Sequence, residues 1–460
     1  MLLELILSII GILLTIFIVV GVHEGAHFMA ARLLDIKVLR CSIGFGKALY
    51  TWHDKKGTEY VLAPIPLGGY VKLLDESEGP VKDSEKHLAF NRQSIYKRFT
   101  VVAAGPLSNL IMAFFLYWII FLVGFQTTIP IIGNVNPHSI ASHAGLQTMQ
   151  EIVSIDGHPT QTWSAVSLRL IEHVGDEDQT RFEVKHFTPN QKDHAGSSTT
   201  HILNLTDWQM NELTPDPLSS IGIAPYEPEV PLIIGKMKEG SPAAISELQL
   251  NDKILAVDGK SIRTWEQLLL SLDKKPDQEL RFTVERNKKE MHVMVKLGHH
   301  RDLLLRKHGF LGISPDFLMP DYLMHKIQYG PLEASIHAFK EVTQLSYLNL
   351  LLFGKLLTHK LSLYSLGGPI TIFESAGSAF QYGALAFLGF LAFLNVALGI
   401  INFFPIPGLD GGHLLFQSIE VVLRRPLSMH VQLFLYKLGF IFLILLVVQA
   451  LTNDVLRMWG

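Results

Sequence analysis

Between Leu5 and His27 the chain reads LILSIIGILLTIFIVVGVHEGAH. No residue from Leu5 to Val22 is charged, and coiled as a helix the run covers most of a hydrocarbon layer about 30 Å thick. It predicts a membrane span. A secretory leader is the competing reading of an N-terminal apolar run. Here the start carries Glu4 and no Lys or Arg, and the run leads straight into His23, Glu24 and His27.

Three further uncharged runs follow. Phe99 to Gln126 stands behind Lys97 and Arg98, Ala384 to Pro405 carries no charge, and Val431 to Leu451 is broken only by Lys437. Four spans put both termini on one side. Arg32, Lys37, Arg40, Lys47, Lys55 and Lys56 lie between the first two spans, and Arg424 and Arg425 lie between the last two. The positive-inside rule makes both connections cytoplasmic, so the termini and the long insert from about 127 to 375 face outward. Leu345 to Leu357 is Leu-rich but short and flanked by Lys340, Glu341, Lys355 and Lys360, which suits an interfacial or core helix better than a span.

Composition agrees with this division. The 460 residues hold 39 Lys+Arg against 42 Asp+Glu, a net charge of -3, with no long basic run, so nothing points to a nucleic-acid partner. A mean hydropathy of +0.27 is high for a soluble chain. The single Cys41 excludes an intrachain disulfide and any Cys-based zinc cluster, leaving 20 His as metal ligands.

The insert repeats itself. Ser139 to Trp163 aligns without a gap on Ser241 to Trp265, so that Asp156-Gly157 falls on Asp258-Gly259. Each copy has a short β run, a small-residue helix start, a strand closed by Asp-Gly, and a helix after the Trp. Gly240-Ser241-Pro242-Ala243-Ala244 with Asp252 to Gly259 resembles the circularly permuted PDZ domain of bacterial envelope proteases. PDZ domains bind extended peptides or C-termini beside an exposed strand; the bland alternative is a pair of steric spacers.

His23-Glu24-Gly25-Ala26-His27 is an H-E-x-x-H motif at the cytoplasmic end of the first span. Residues four apart share a helix face, so two imidazoles can hold one zinc with Glu24 beside it as general base. Three polar residues snorkelling at a helix end are the bland reading. Against it, a carboxylate inside a membrane helix costs on the order of 2.5 to 3.5 kcal/mol. A catalytic zinc takes a third protein ligand, and Asp410 is the one carboxylate from Leu385 to Ile419, at the cytoplasmic end of the third span. Pro405 and Pro407 break the helix just before it.

The motif in the first span, Gly44-Phe45-Gly46 behind it, Ala104-Gly105-Pro106-Leu107-Ser108-Asn109 opening the second span, and the block from Asn402 to Gly411 resemble the site-2 protease family of intramembrane zinc metalloproteases. The resemblance implies one zinc held by His23, His27 and Asp410, with Glu24 as the catalytic carboxylate and Asn402 as a polar contact to the substrate backbone. It also implies a membrane-associated β hairpin at Val61 to Leu73, with Gly69, Tyr70 and Val71 as an edge for the unwound substrate. The implied substrates are single-span membrane proteins, of the anti-sigma-factor type or signal-peptide remnants, already trimmed outside a bacterial inner membrane.

The expected fold is a polytopic α-helical membrane protein with four transmembrane helices and a tandem pair of α+β PDZ domains between the second and third. Its pieces are the first helix with the motif at 1–30, a cytoplasmic segment at 31–97, and the second helix at 98–126. The PDZ copies follow at 127–226 and 227–315, then periplasmic amphipathic helices at 316–376. The third helix takes 377–409, a cytoplasmic loop 410–428, and the fourth helix and tail 429–460. A catalytically inactive PDZ-containing receptor is the alternative, disfavoured because Glu24 and Asp410 are both present. A zinc transporter is disfavoured because the only repeat is soluble. His299-His300 reads as solvated, Asn109 as a buried helix–helix hydrogen bond with an outer-shell role as the option, Lys437 as snorkelling, and Cys41 as inert.

Overall fold

The computed structural model describes residues 2–459 except 78, 177, 189–196, 207, 211–215, 302–305 and 426. Among the described residues four helices are long and apolar enough to cross a membrane, at Leu5–Leu33, Ile95–Val123, Ala384–Phe403 and Met429–Met458. The chain runs from α1 (Leu2–Leu33) through a small sheet to α2 (Ile95–Val123). α2 starts where the Ser94 hydroxyl accepts from the Lys97 N–H and stops at Gly124.

Between α1 and α2 lie β1 (Val38–Phe45), β2 (Tyr50–His53), β3 (Glu59–Leu62) and β4 (Ile65–Leu73), in the order β2-β3-β1-β4. The segment 61–73 is therefore not a self-paired hairpin. β1 inserts between β3, which it pairs in parallel, and β4, which it pairs antiparallel. β1 takes both ladders, leaving β4 with one free edge. A tight turn at Asp54 joins β2 to β3: its Oδ1 accepts the N–H of Lys56 and of Thr58, and its other oxygen is paired with Arg32 at the end of α1. Partial desolvation works against ionisation, but the Arg32 guanidinium and the two backbone donors hold the carboxyl at about 2.

The insert contains two units of one topology. In each, a strand (Gln150–Ile155; Lys253–Val257) pairs with a later one (Glu279–Arg286 in the second, Gln179–His186 in the first), and a helix (Trp163–Glu172; Trp265–Asp273) covers the sheet. The repeat extends to a register irregularity, between Ile152 and Ser154 in one and Ile254 and Ala256 in the other. Each unit has its own core: Ile152, Ile155, Val166, Leu170 and Phe182 in the first, Ile254, Val257, Leu268, Leu272 and Phe282 in the second. Asp156 falls on Asp258, 102 positions on, whereas Arg181 falls on Arg281, 100 positions on; both aspartates receive the matching Arg backbone N–H. The first unit thus has two extra residues between its helix and the next strand.

α3 (Pro331–Leu357) is one helix over twice the length of the Leu-rich stretch. Its Ala334 and Ala338 lie against Phe121, Val342 and Leu345 join Ala113 and Val396, and Phe353 stacks on Phe404 with ring centroids 3.8 Å apart. It packs along α2 and the third span, and Leu168 of the first unit joins the same cluster. Before it, Met324–Ile327 pairs with Phe125–Thr128, joining the exit from α2 to the return of the chain.

Two expected boundaries move. Residues 377–409 are not one helix, because α4 (Pro369–Tyr382) ends at Gly383, whose φ of 112° breaks the path before α5 (Ala384–Phe403). Residues 410–428 are not a plain loop, because α6 (Asp410–Leu423) buries Leu414, Phe416 and Gln417 on one face. α7 (Met429–Trp459) is fastened near its end, where Asp454 accepts the N–H groups of Gly368 and Ile370 and the Thr371 hydroxyl, and the Asn453 amide donates to the carbonyls of Leu363 and Leu366.

Candidate active site

His23 and His27 stand one turn apart on α1 and share a face. That face meets α2 at Val101, Gly105 and Asn109, spaced four apart and so on one stripe. His27 Nδ1–H donates to the Val101 carbonyl at 2.8 Å. Gly105 makes room: a Cβ there would strike His27 Nε2 and come within 2.9 Å of His23 Cε1. The Asn109 amide nitrogen lies 3.4 Å from His23 Nδ1.

The third group arrives on α6. After the proline-broken link from Phe404 to Leu409, Asp410 sits in the first helical turn. Arg98 at the start of α2 fixes that helix by a two-pronged ion pair with Glu420, at 2.6 and 3.1 Å. His23 Nε2 and His27 Nε2 are 3.2 Å apart, and Asp410 Oδ2 lies 3.0 Å from the first and 3.4 Å from the second. Ligand atoms about 2.0 to 2.1 Å from a tetrahedral zinc stand roughly 3.3 Å from one another. Asp410 Oδ2 is moreover buried with no hydrogen-bond partner. The imidazoles approach it without the geometry of a hydrogen bond, as groups aimed at a common point do. Among the described residues these three are the only His, Cys, Asp or Glu cluster of metal-binding shape. The donor set, two neutral nitrogens and one carboxylate, suits zinc.

A cavity of about 890 Å³ opens beside them, with Glu24, Gly69, Tyr70 and Val71 in its wall. The Glu24 side chain lies so close to β4 that a Cβ at Gly69 would fall 3.0 Å from Glu24 Cγ. Asn402 is buried on α5 and is not in that wall. Cys41, on β1, has its thiol pushed up to about 11 by burial and by the nearby Glu24 charge, so it stays an uncharged, unreactive group.

Two features escape a reading of residues alone. The Val101 carbonyl has no side chain to reveal it. His413, hydrogen-bonded to Tyr436 of α7 at 2.9 Å, lines the same cavity. It follows Asp410 by three positions, a spacing that shares a face only once 410–423 is known to be helical.

The sequence matches Peptidase family M50 over residues 11–446. It is 39% identical over 446 residues to "Regulator of sigma-E protease RseP" of Escherichia coli (strain K12), covering 96% of each chain. It is 38% identical over 457 residues to "Protease RseP" of Yersinia pestis, covering 98% of this chain and 99% of the relative. A "Putative zinc metalloprotease" of Vibrio cholerae is 35% identical over 451 residues, 98% of each chain. A solved PDZ domain from Listeria innocua aligns with 19% of this chain and 97% of its own, at 20% identity and a TM-score of 0.17. With a family match along nearly the whole length and a metal-shaped cluster at its H-E-x-x-H motif, this chain belongs to peptidase family M50, the zinc metalloproteases of the site-2 type.

Proposed function

We propose that the chain cleaves the transmembrane segments of single-span membrane proteins, with zinc held by His23, His27 and Asp410 and with Glu24 as the proton-transferring base. The observation that carries this reading is the triangle of ligand atoms, 3.0 to 3.4 Å on a side, next to Glu24. When bound, zinc supplies Lewis acidity, polarising the scissile carbonyl and easing the ionisation of water. Val101 holds the His27 ring with Nε2 turned toward His23 and Asp410, where it would offer its lone pair to a bound ion. Glu24 takes the proton of the attacking water and returns it to the leaving amine.

A transmembrane helix has its carbonyls already hydrogen-bonded, so it must unwind before attack. The free edge of β4 at Gly69, Tyr70 and Val71 receives the unwound segment by strand addition, which its place at the rim of the sheet beside Glu24 supports. Asn402 is the further polar contact to the substrate backbone, reached once substrate parts α5 from its neighbours. The lysines and arginines of 32–98 and 424–425 support a site toward the cytoplasmic side of a bacterial inner membrane. The termini and the two PDZ-like units then lie in the periplasm. There the units exclude bulky outer domains, so substrates are proteins already trimmed on that side, as in envelope stress signalling by release of anti-sigma factors.

Zinc content and cleavage are measured together on detergent-purified protein with single-span test substrates. One zinc per chain is expected, falling to none in His23→Ala/His27→Ala. Full zinc in that double variant removes the site.

A further inference from the structure

We propose that Asn109 is a positioning residue for the metal site, its side-chain oxygen accepting the Nδ1–H of His23 whenever His23 Nε2 is a ligand. The proposal rests on the ligand set above. Asn109 is fully buried between α1 and α2, and its Oδ1 has no hydrogen-bond partner. A buried amide oxygen left unmet is costly. The same amide presents its nitrogen to His23 Nδ1 at 3.4 Å. Half a turn about the last side-chain bond exchanges oxygen and nitrogen and turns the oxygen toward His23 Nδ1.

The two orientations belong to two states of His23. Without metal, His23 Nδ1 accepts from the amide nitrogen, which leaves the ring proton on Nε2. With metal, Nε2 must offer its lone pair, so the proton moves to Nδ1 and needs an acceptor. An amide serves either state; a hydroxyl at the end of a shorter side chain does not reach. His27 is handled differently, because the Val101 carbonyl is only an acceptor and holds its Nδ1–H in both states. Val101 and Asn109 flank Gly105 on one stripe of α2, so that stripe forms the outer layer of both histidine ligands.

Asn395 is the internal comparison. It is equally buried in α5 with an unmet Oδ1, but its amide nitrogen donates to the Leu391 carbonyl of its own helix. The test follows zinc release from the full-length holoenzyme in detergent to a coloured chelator, alongside the rise in melting temperature that zinc confers. Asn109→Leu should weaken zinc retention about 10- to 100-fold. Asn395→Leu should hold zinc within about twofold of the parent, and Asn109→Asp, which keeps an oxygen in place, should retain most of it. A purely packing role predicts that both leucine variants lower stability with and without zinc alike. Zinc retention unchanged in Asn109→Leu, or lost equally in Asn395→Leu, overturns the proposal, as does a folded Asn109→Asp that releases zinc as fast as Asn109→Leu. Failure of the ligand set itself is distinguishable: there His23→Ala/His27→Ala keeps its zinc.

Discussion

Lys355 Nζ, on a side chain only 5% exposed, donates to Asp176 Oδ2 at 2.8 Å, while Lys360 reaches the other oxygen of the same carboxylate at 2.8 Å. Lys355 also donates to the Glu172 carbonyl. Asp176 lies in the loop where the first PDZ-like unit carries two more residues than the second. The insertion therefore fastens that unit to α3, whose Phe353 stacks on Phe404 six residues before Asp410. Breaking a fully buried ion pair costs about 3 to 5 kcal/mol; with Asp176 a third exposed, about 2 kcal/mol is expected here. Asp176→Asn should thus lower amide-exchange protection around 172–176 and 355–360 by roughly 30-fold. If the units act as a size filter, it should also admit untrimmed substrates. Unchanged exchange in both segments would show that the contact holds nothing.

The same pair sets a pH expectation. Burial opposes ionisation of Asp176, but the hydrogen bonds from Lys355 and Lys360 hold its carboxyl below the usual range. A depressed carboxylate contributes fully above its unfolded value, about 3.9, and loses that contribution only as pH falls through the lower folded value. Exchange protection at this contact should be flat from about pH 8 to pH 5 and fall below about pH 4. A loss centred near pH 6 would assign the contact to a histidine instead.

Glu24 is argued to move protons without holding the ion. Glu24→Gln should keep a full zinc complement and lose cleavage by about 10²- to 10⁴-fold. Zinc loss in that variant would make Glu24 a ligand, and turnover like the parent's would remove it from the chemistry.

The spans and the metal cluster were legible because both are written in residue type. Uncharged runs mark α1, α2, α5 and α7, and His23, His27 and Asp410 are the chemically distinctive residues at one depth. What stayed hidden depends on long-range packing. β1 between β3 and β4 cannot be foreseen from turn residues in 61–73, since either strand offers the same pattern to any partner. α6 was obscured by Asp-Gly-Gly, which reads as turn chemistry although the following residues bury one face. Of α3 the Leu-rich part reads as a helix, but its extension back to Pro331 is not marked, because Glu333, Ser335, Lys340 and Glu341 dilute a helix whose apolar face is met by α2 and α5.

Gly105 is a second place where a single atom decides the site. Gly105→Ala helps an isolated helix by about 1 kcal/mol, yet its new Cβ strikes His27 and crowds His23. The variant should fold and span as before while zinc retention falls at least about 10-fold. Normal zinc retention would mean that α1 and α2 separate easily here.

β4 provides the last expectation, because it is the only strand of its sheet that faces the cavity with an unpaired edge. Its inner edge pairs Val71 with Cys41, Tyr70 with Ser42 and Gly69 with Ile43. In an antiparallel pair, successive residues turn their backbone N–H alternately toward and away from the partner. Proline at Tyr70 and proline at Val71 should therefore act differently, since proline removes one N–H in each case. One of the two deletes a donor from the β1 ladder and should destabilise the sheet. The other deletes a donor from the free edge and should raise KM for an unwound, single-span substrate by about 5- to 20-fold, the value of one hydrogen bond of about 1 to 1.8 kcal/mol, with zinc content and stability unchanged. Had strand addition no part in substrate binding, neither variant would raise KM without also losing stability.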